Sequence, residues 1–133
     1  MSFLLDTNIC SAYIKKPGLL AHRFIQHGGG LHVSTIALAE LYTWAELRPD
    51  PAPLMNAIKS DLLSAVQVLD FNADCSRMYG HLCAKLRGRG ITIPPPDLMI
   101  ATVAIVHNLT VVTHNVRDFV NIPDLPIVDW LTP

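Results

Sequence analysis

Cysteine is scarce in this 133-residue chain: Cys10, Cys75 and Cys83 are odd in number and lack CxxC spacing. Neither a disulfide framework nor a zinc knuckle is expected on that basis, and a reducing cytoplasm is the expected setting. The histidines at 22, 27, 32, 81, 107 and 114 show neither HxxxH nor HExxH spacing, so no histidine-based zinc site is expected. Long apolar runs are also missing. The longest, about Leu98 to Val106, is well short of the roughly 18 residues expected of a membrane span. The N-terminus has no positive segment and meets Asp6 after two leucines, which is not the pattern of a secretory signal. Gly28-Gly29-Gly30 lacks the Lys-Ser/Thr of a phosphate loop and reads as a turn.

Charge is low, at 16% of residues with a formal net charge of −1, while half the residues are apolar. That composition suits one compact domain spanning 1–133 without a disordered tail. A net charge of −1 is unpromising for binding nucleic acid, which needs Lys and Arg against phosphates. Distribution matters more than the sum: setting three carboxylates aside for a metal site leaves the remainder at +2.

Strand and helix signals alternate. Phe3 to Asp6 reads as a short buried strand, followed by a helix from about Asn8 to Lys16 that Pro17-Gly18 ends. A short helix over Leu19 to His27 precedes a strand at Leu31 to Ser34. Ser34 or Thr35 can cap a helix running to about Leu47, and another helix spans about Pro53 to Ser64. Val66 to Phe71 is apolar and β-branched enough for a strand, and the Asn72 to Asp74 caps open a helix to about Arg87, ended by Gly88 and Gly90. After Pro94-Pro95-Pro96, Asp97 falls at the cap or in the first turn of a helix, Leu98 to His107, that is apolar all round and must be buried. Asn108 suits its left-handed C-cap. Leu109 to Thr113 and Ile127 to Asp129 are the remaining strand candidates. Alternation of this kind predicts an α/β/α sandwich around a parallel sheet of four to five strands, with ligands collecting at the strands' carboxyl ends.

Four acids fall near such ends. Asp6 closes the first strand; a helix cap explains it, unless Thr7 or Asn8 takes that role and leaves the carboxylate spare. Glu40 shares a helix face with Ile36, Thr43, Trp44 and Leu47, so the expectation is a carboxylate on a buried, largely apolar side that needs a cation or a donor. Asp97 heads the apolar helix and is expected to point into a crevice. Asn115 and Asp118 follow the Leu109 to Thr113 strand, where Asp118 can equally serve as a turn or helix-cap residue before Phe119. Carboxylates crowded together cannot all ionise cheaply, and a hard cation, Mg²⁺ or Mn²⁺, resolves that with oxygen ligands alone. Such an ion activates water for in-line attack on a phosphodiester.

These residues resemble the PIN-domain family, and its VapC-type toxins in particular. The resemblance lies in Leu4-Leu5-Asp6-Thr7-Asn8, in Val33 to Leu41 around Glu40, in Pro96-Asp97-Leu98-Met99-Ile100-Ala101, in Leu109 to Asn115, and in Asp118-Phe119 and Asp129-Trp130. It implies metal ligation by Asp6, Glu40 and Asp97, with Asn115 or Asp118 at the fourth catalytic position and Thr7 and Thr113 supporting the ligands. Asn115 stands where many relatives carry Asp, so one tightly held Mg²⁺ is expected rather than two. The resemblance further implies an endoribonuclease leaving 5′-phosphate and 3′-hydroxyl ends, a homodimer, and an antitoxin of the VapB type occupying the cleft. Asn115 also leaves room for a non-catalytic RNA- or protein-binding module. A haloacid dehalogenase-type phosphatase fits less well, since position 8 is Asn8 rather than a second Asp and no Lys lies near the later acids.

For RNA itself the sequence offers a stripe of Arg77, His81 and Lys85 at every fourth residue, extended by Arg87 and Arg89, opposite an apolar side of Tyr79, Leu82, Cys83 and Leu86. An ordinary solvated face accounts for it equally well. Lys15, Lys16, His22 and Arg23 make a second basic cluster.

Overall fold

The computed structural model describes residues 1–132. Strands β1 (Phe3–Leu5), β2 (Leu31–Ser34), β3 (Gln67–Leu69), β4 (Thr110–Val112) and β5 (Ile127–Val128) form one sheet in the order β3-β2-β1-β4-β5. Every pairing is parallel. Helices α1 (Thr7–Lys15), α2 (Ala21–Gln26), α3 (Thr35–Glu46) and α4 (Ala52–Ala57) lie on the connections that step outward from β1 to β3. Helices α5 (Ala73–Gly88), α6 (Pro95–His107) and α7 (Val116–Phe119) lie on those that return to β4 and step on to β5. Because parallel crossovers are right-handed, the change of direction at β1 puts the two sets of helices on opposite faces, giving the expected three layers.

That reversal positions the site. β1 is central and pairs with both β2 and β4, so the chain leaves it in one direction and comes back on its other side. The carboxyl ends of β1 and β4 therefore flank a crevice, as at the switch point of any doubly wound sheet. Asp6 follows β1 directly and Thr113 follows β4.

The core explains the element choices. Leu4 and Leu5 are fully buried, as the outcome of covering β1 on both faces. In α6, Leu98, Ile100, Ala101, Thr102, Val103 and Ala104 are all buried, as the apolar run predicts, and the Thr102 hydroxyl is satisfied by donating to the Leu98 carbonyl at 2.6 Å. Pro95 and Pro96 occupy the first helical positions, where a missing N–H costs nothing, so α6 begins earlier than Leu98 and Asp97 lies in its first turn. Asn108 ends α6 in the left-handed conformation, with φ 57°.

Several boundaries shift. The segment expected to be helical from Leu19 is a 3-10 turn at Pro17–Leu19 followed by α2. The helix expected over Pro53 to Ser64 is α4 continued by a π-helical stretch, Ile58–Leu62, which buries Ile58 and Leu62. Gly88 is still helical, and Gly90, with φ 72°, makes the turn. A short helix, α7, occupies the segment that reads in sequence as a turn or a helix cap before Phe119, and fully buried Phe119 anchors it.

Gly30 precedes β2 where the N-terminal strand closes over it: its carbonyl accepts from Phe3 N–H at 2.8 Å. A Cβ there would stand 2.8 Å from the Met1 carbonyl oxygen, a backbone atom. Gly30→Ala is expected to cost about 1–3 kcal/mol of stability through this overpacking, measurable as a lower urea midpoint at unchanged slope.

Candidate active site

Asp6 is the N-cap of α1 and is almost fully buried, at 3% exposure. Its Oδ1 accepts from Thr7 N–H at 2.8 Å, and its Oδ2 accepts from the Thr113 hydroxyl at 2.7 Å and, more weakly, from the Asn8 amide at 3.4 Å. Neither Thr7 nor Asn8 displaces it as the cap. A carboxylate has lone pairs enough for a cap and for more, so capping does not use the group up.

Thr7 links two acids: its N–H goes to Asp6 and its hydroxyl donates to Glu40 Oε1 at 2.6 Å. Thr113 is fully buried and works in the same manner from β4, donating to Asp6 while accepting from Asn115 N–H at 3.0 Å. Asn8 was singled out in sequence only as a capping residue. It ties the two strand ends together, its side-chain oxygen accepting from His114 N–H at 3.2 Å. The only sequence signal for that role is its place two residues after Asp6.

Glu40 corrects an expectation. It is exposed, not buried on an apolar face. The side of α3 that packs inward is Ala37, Leu41 and Ala45, while Ile36 and Trp44 are half-buried and Thr43 and Leu47 exposed. Helical spacing grouped Glu40 correctly with Trp44 but assigned their shared face to the core.

Asp97 and Asp118 are partly buried, and Asn115 is exposed with its side chain not used as a cap. Burial, followed by the charges of Asp6, Asp118 and Glu40, pushes the Asp97 carboxyl up to about 6. Burial likewise raises Asp6, against the hydrogen bonds from Thr113 and Thr7, with Glu40 and Asp118 adding to the rise. Asp97 thus lies near enough to feel the charges of Asp6, Asp118 and Glu40, and Asp6 those of Glu40 and Asp118. Arg77, His81, Lys85, Arg87 and Arg89 are all exposed on or just after α5, and the hollow beside Arg77 is lined by Asp74, Met78 and His81 rather than by any of those acids.

Among the described residues no three His, Cys, Asp or Glu side chains are already drawn together as a finished cage. The donor set still fits a hard cation: it is all oxygen, it is mutually repulsive without a counter-charge, and Mg²⁺ keeps several waters rather than demanding full enclosure by protein. In metal-free protein the raised carboxyls mean that the folded state holds protons more tightly than the unfolded chain. Their contribution to stability is complete below the ordinary value of 3.8 and is lost as pH rises through about 6. In EDTA these groups should therefore favour folding more at about pH 5 than at about pH 7.

A doubly wound parallel sheet with a buried acid, Asp6, at its strand reversal defines an α/β/α protein with its candidate site at the carboxyl ends of β1 and β4. Residues 3–125 match the PIN domain, and the chain belongs to that family, within its VapC group. It is 37% identical over 132 residues to the tRNA(fMet)-specific endonuclease VapC of Salmonella typhimurium, with 98% of each chain covered. To ribonuclease VapC2 of Rickettsia felis it is 35% identical over 134 residues, again with 98% of each covered. A chain of the DNA-bound VapBC structure from Salmonella typhimurium matches with a TM-score of 0.92 at 34% identity, covering 98% of both chains. VapBC2 of Rickettsia felis, bound to a promoter DNA fragment, matches with a TM-score of 0.91 at 32% identity, covering 98% of this chain and 99% of that one.

Proposed function

We propose that the chain is a Mg²⁺-dependent endoribonuclease, a single PIN domain acting as the toxin of a type II toxin–antitoxin pair. The observation that carries this reading is Asp6, buried at the end of β1 and held by Thr7 N–H and the Thr113 hydroxyl while the Thr7 hydroxyl holds Glu40, in a chain similar over 98% of its length to VapC ribonucleases.

Asp6, Glu40 and Asp97 are the proposed ligands. A divalent cation bound there would supply Lewis-acid chemistry, lowering the pKa of water and offsetting phosphate charge. Asp6 is the rigid member, fixed by Thr7 N–H and the Thr113 hydroxyl. Glu40 is steered from the solvent side by the Thr7 hydroxyl. Asp118 is the proposed fourth acid, through its charge coupling to Asp6 and Asp97, and Asn115 offers an amide to orient water or a phosphate oxygen. Thr7 and Thr113 act by orienting carboxylates, as partners outside the ligand shell do at metal sites.

No helix among the described residues is long and apolar enough to cross a membrane. We propose that the protein works in the cytoplasm as a homodimer, and likeness to the VapBC structures supports a VapB-like antitoxin as the partner that holds it in check. The test is a mixed RNA pool incubated with purified protein in Mg²⁺, in Mn²⁺ and in EDTA. Cutting that needs the metal and leaves 5′-phosphate ends is the expected result. A folded protein that cuts no RNA with either ion would overturn the reading in favour of a binding module.

A further inference from the structure

Trp44 is half-buried, one turn beyond Glu40 along α3, and is not used by the chemistry above. Lys15 Nζ stands 5.2 Å from its ring centroid and Arg48 Cζ 5.4 Å, both cation–π contacts. Two adjoining hollows share Lys15 and Trp44. One begins at Thr7, the residue that donates to Glu40, and passes Ser11. The other continues to Arg48 and Leu54. Together they make a groove leading out of the carboxylate crevice between α1 and α3. No acid lines either hollow. The hollow beside Arg77 on α5 includes an acid, Asp74, and no tryptophan, tyrosine or phenylalanine.

An aromatic face with cations around it and no acid is the chemistry that binds single-stranded nucleic acid: bases stack on the ring and phosphates pair with the cations. We propose that Trp44 is a stacking platform for a base of single-stranded RNA one step from the cut, with Lys15 and Arg48 as its phosphate contacts. The inference rests on the ribonuclease reading and routes the strand along α1 and α3, away from the α5 stripe that the sequence suggested. When a base arrives, the cation displaced from the ring face is freed to meet the adjacent phosphate. Little is lost by that exchange, because cation–π contacts at accessible rings are weaker than base stacking. Trp44 is thus a positioning residue whose removal raises KM while leaving kcat near its original value.

The test uses the full chain and single-stranded oligoribonucleotides. Trp44→Ala should raise KM about tenfold or more with kcat within about threefold, and Trp44→Phe, which keeps a ring, should recover most of the loss. Lys15→Gln with Arg48→Gln should flatten the salt dependence of binding, each lost phosphate contact taking about 0.7 from the slope of log K against log salt. A second readout comes from Asp97→Asn protein in Mg²⁺ titrated with oligoadenylate. Stacking should quench tryptophan fluorescence, and Trp130, at 7% exposure, is shielded from the oligonucleotide, so the quenching reports Trp44. Unchanged KM in Trp44→Ala, or RNA binding without quenching, overturns the inference while the ribonuclease reading stands. Quenching by an acidic amphipathic peptide but not by oligoadenylate overturns it in favour of a protein partner. If the wild type neither cuts nor binds RNA, the ribonuclease reading falls and this inference with it.

Discussion

Asp97→Asn is expected to lose RNA cutting by about 100-fold or more and, in EDTA near neutral pH, to be more stable than the wild type. Loss of a ligand should cost at least as much as the 10- to 100-fold typical of removing a supporting group. The gain in stability has a separate cause. Among the described residues Asp97 accepts no side-chain hydrogen bond that the substitution would break, and its carboxyl is raised to about 6 by burial and by three other acids. Its ionised form therefore strains the metal-free fold, and the neutral amide relieves that strain. Discounted for solvent screening of a partly exposed group, the gain is on the order of 1 kcal/mol. It should shrink as pH falls through about 6 and vanish near 4, where the wild-type carboxyl is itself neutral. Paired melting curves of the two proteins at several pH values measure this, and the histidines common to both cancel in the difference. A variant that melts lower than the wild type in EDTA at pH 7 would contradict it.

Thr113→Val should damage stability and metal binding together. The hydroxyl is fully buried, donates to Asp6 Oδ2 at 2.7 Å and accepts from Asn115 N–H at 3.0 Å. Valine keeps the shape and loses both bonds. The unpaired N–H and the weakened shell around Asp6 together cost about 1–3 kcal/mol. With the Thr113 bond gone, Asp6 is raised further, so a cation competes with a more tightly held proton. Metal affinity should fall about 10- to 100-fold. Thr113→Ser, which keeps the hydroxyl, should retain most of the affinity. Equal loss in Thr113→Ser and Thr113→Val would show packing rather than the hydrogen bond to be the cause.

Elements whose local pattern and tertiary burial agree were legible in the sequence. The apolar run after three prolines could only be a buried helix, and α6 is one, with Asp97 in its first turn. Asp6 at the end of an apolar strand and Thr113 at the end of another pointed to strand ends that the sheet reversal brings together. What the sequence did not contain was tertiary choice between faces. In α3, the larger apolar side chains Ile36, Trp44 and Leu47 outweighed Ala37, Leu41 and Ala45 on paper. The packed side is Leu41 flanked by two alanines, Ala37 and Ala45, which let α3 come close to α1 and β2. That single misassignment put Glu40 in the core and hid Trp44 as a surface feature. Helix α7 was missed for a related reason: four residues carry too little periodicity to be read, and one buried phenylalanine anchors them.

The central claim, that Asp6, Glu40 and Asp97 hold a divalent cation, is tested most directly by Mn²⁺ titration of the RNA-free protein followed by electron paramagnetic resonance. Wild-type protein should remove one equivalent of Mn²⁺ from solution near pH 7.5, in competition with Mg²⁺, and Asp97→Asn should remove little or none at the same concentrations. Equal Mn²⁺ uptake by the two proteins, or none by a folded wild type, would contradict the assignment of this crevice as the metal site.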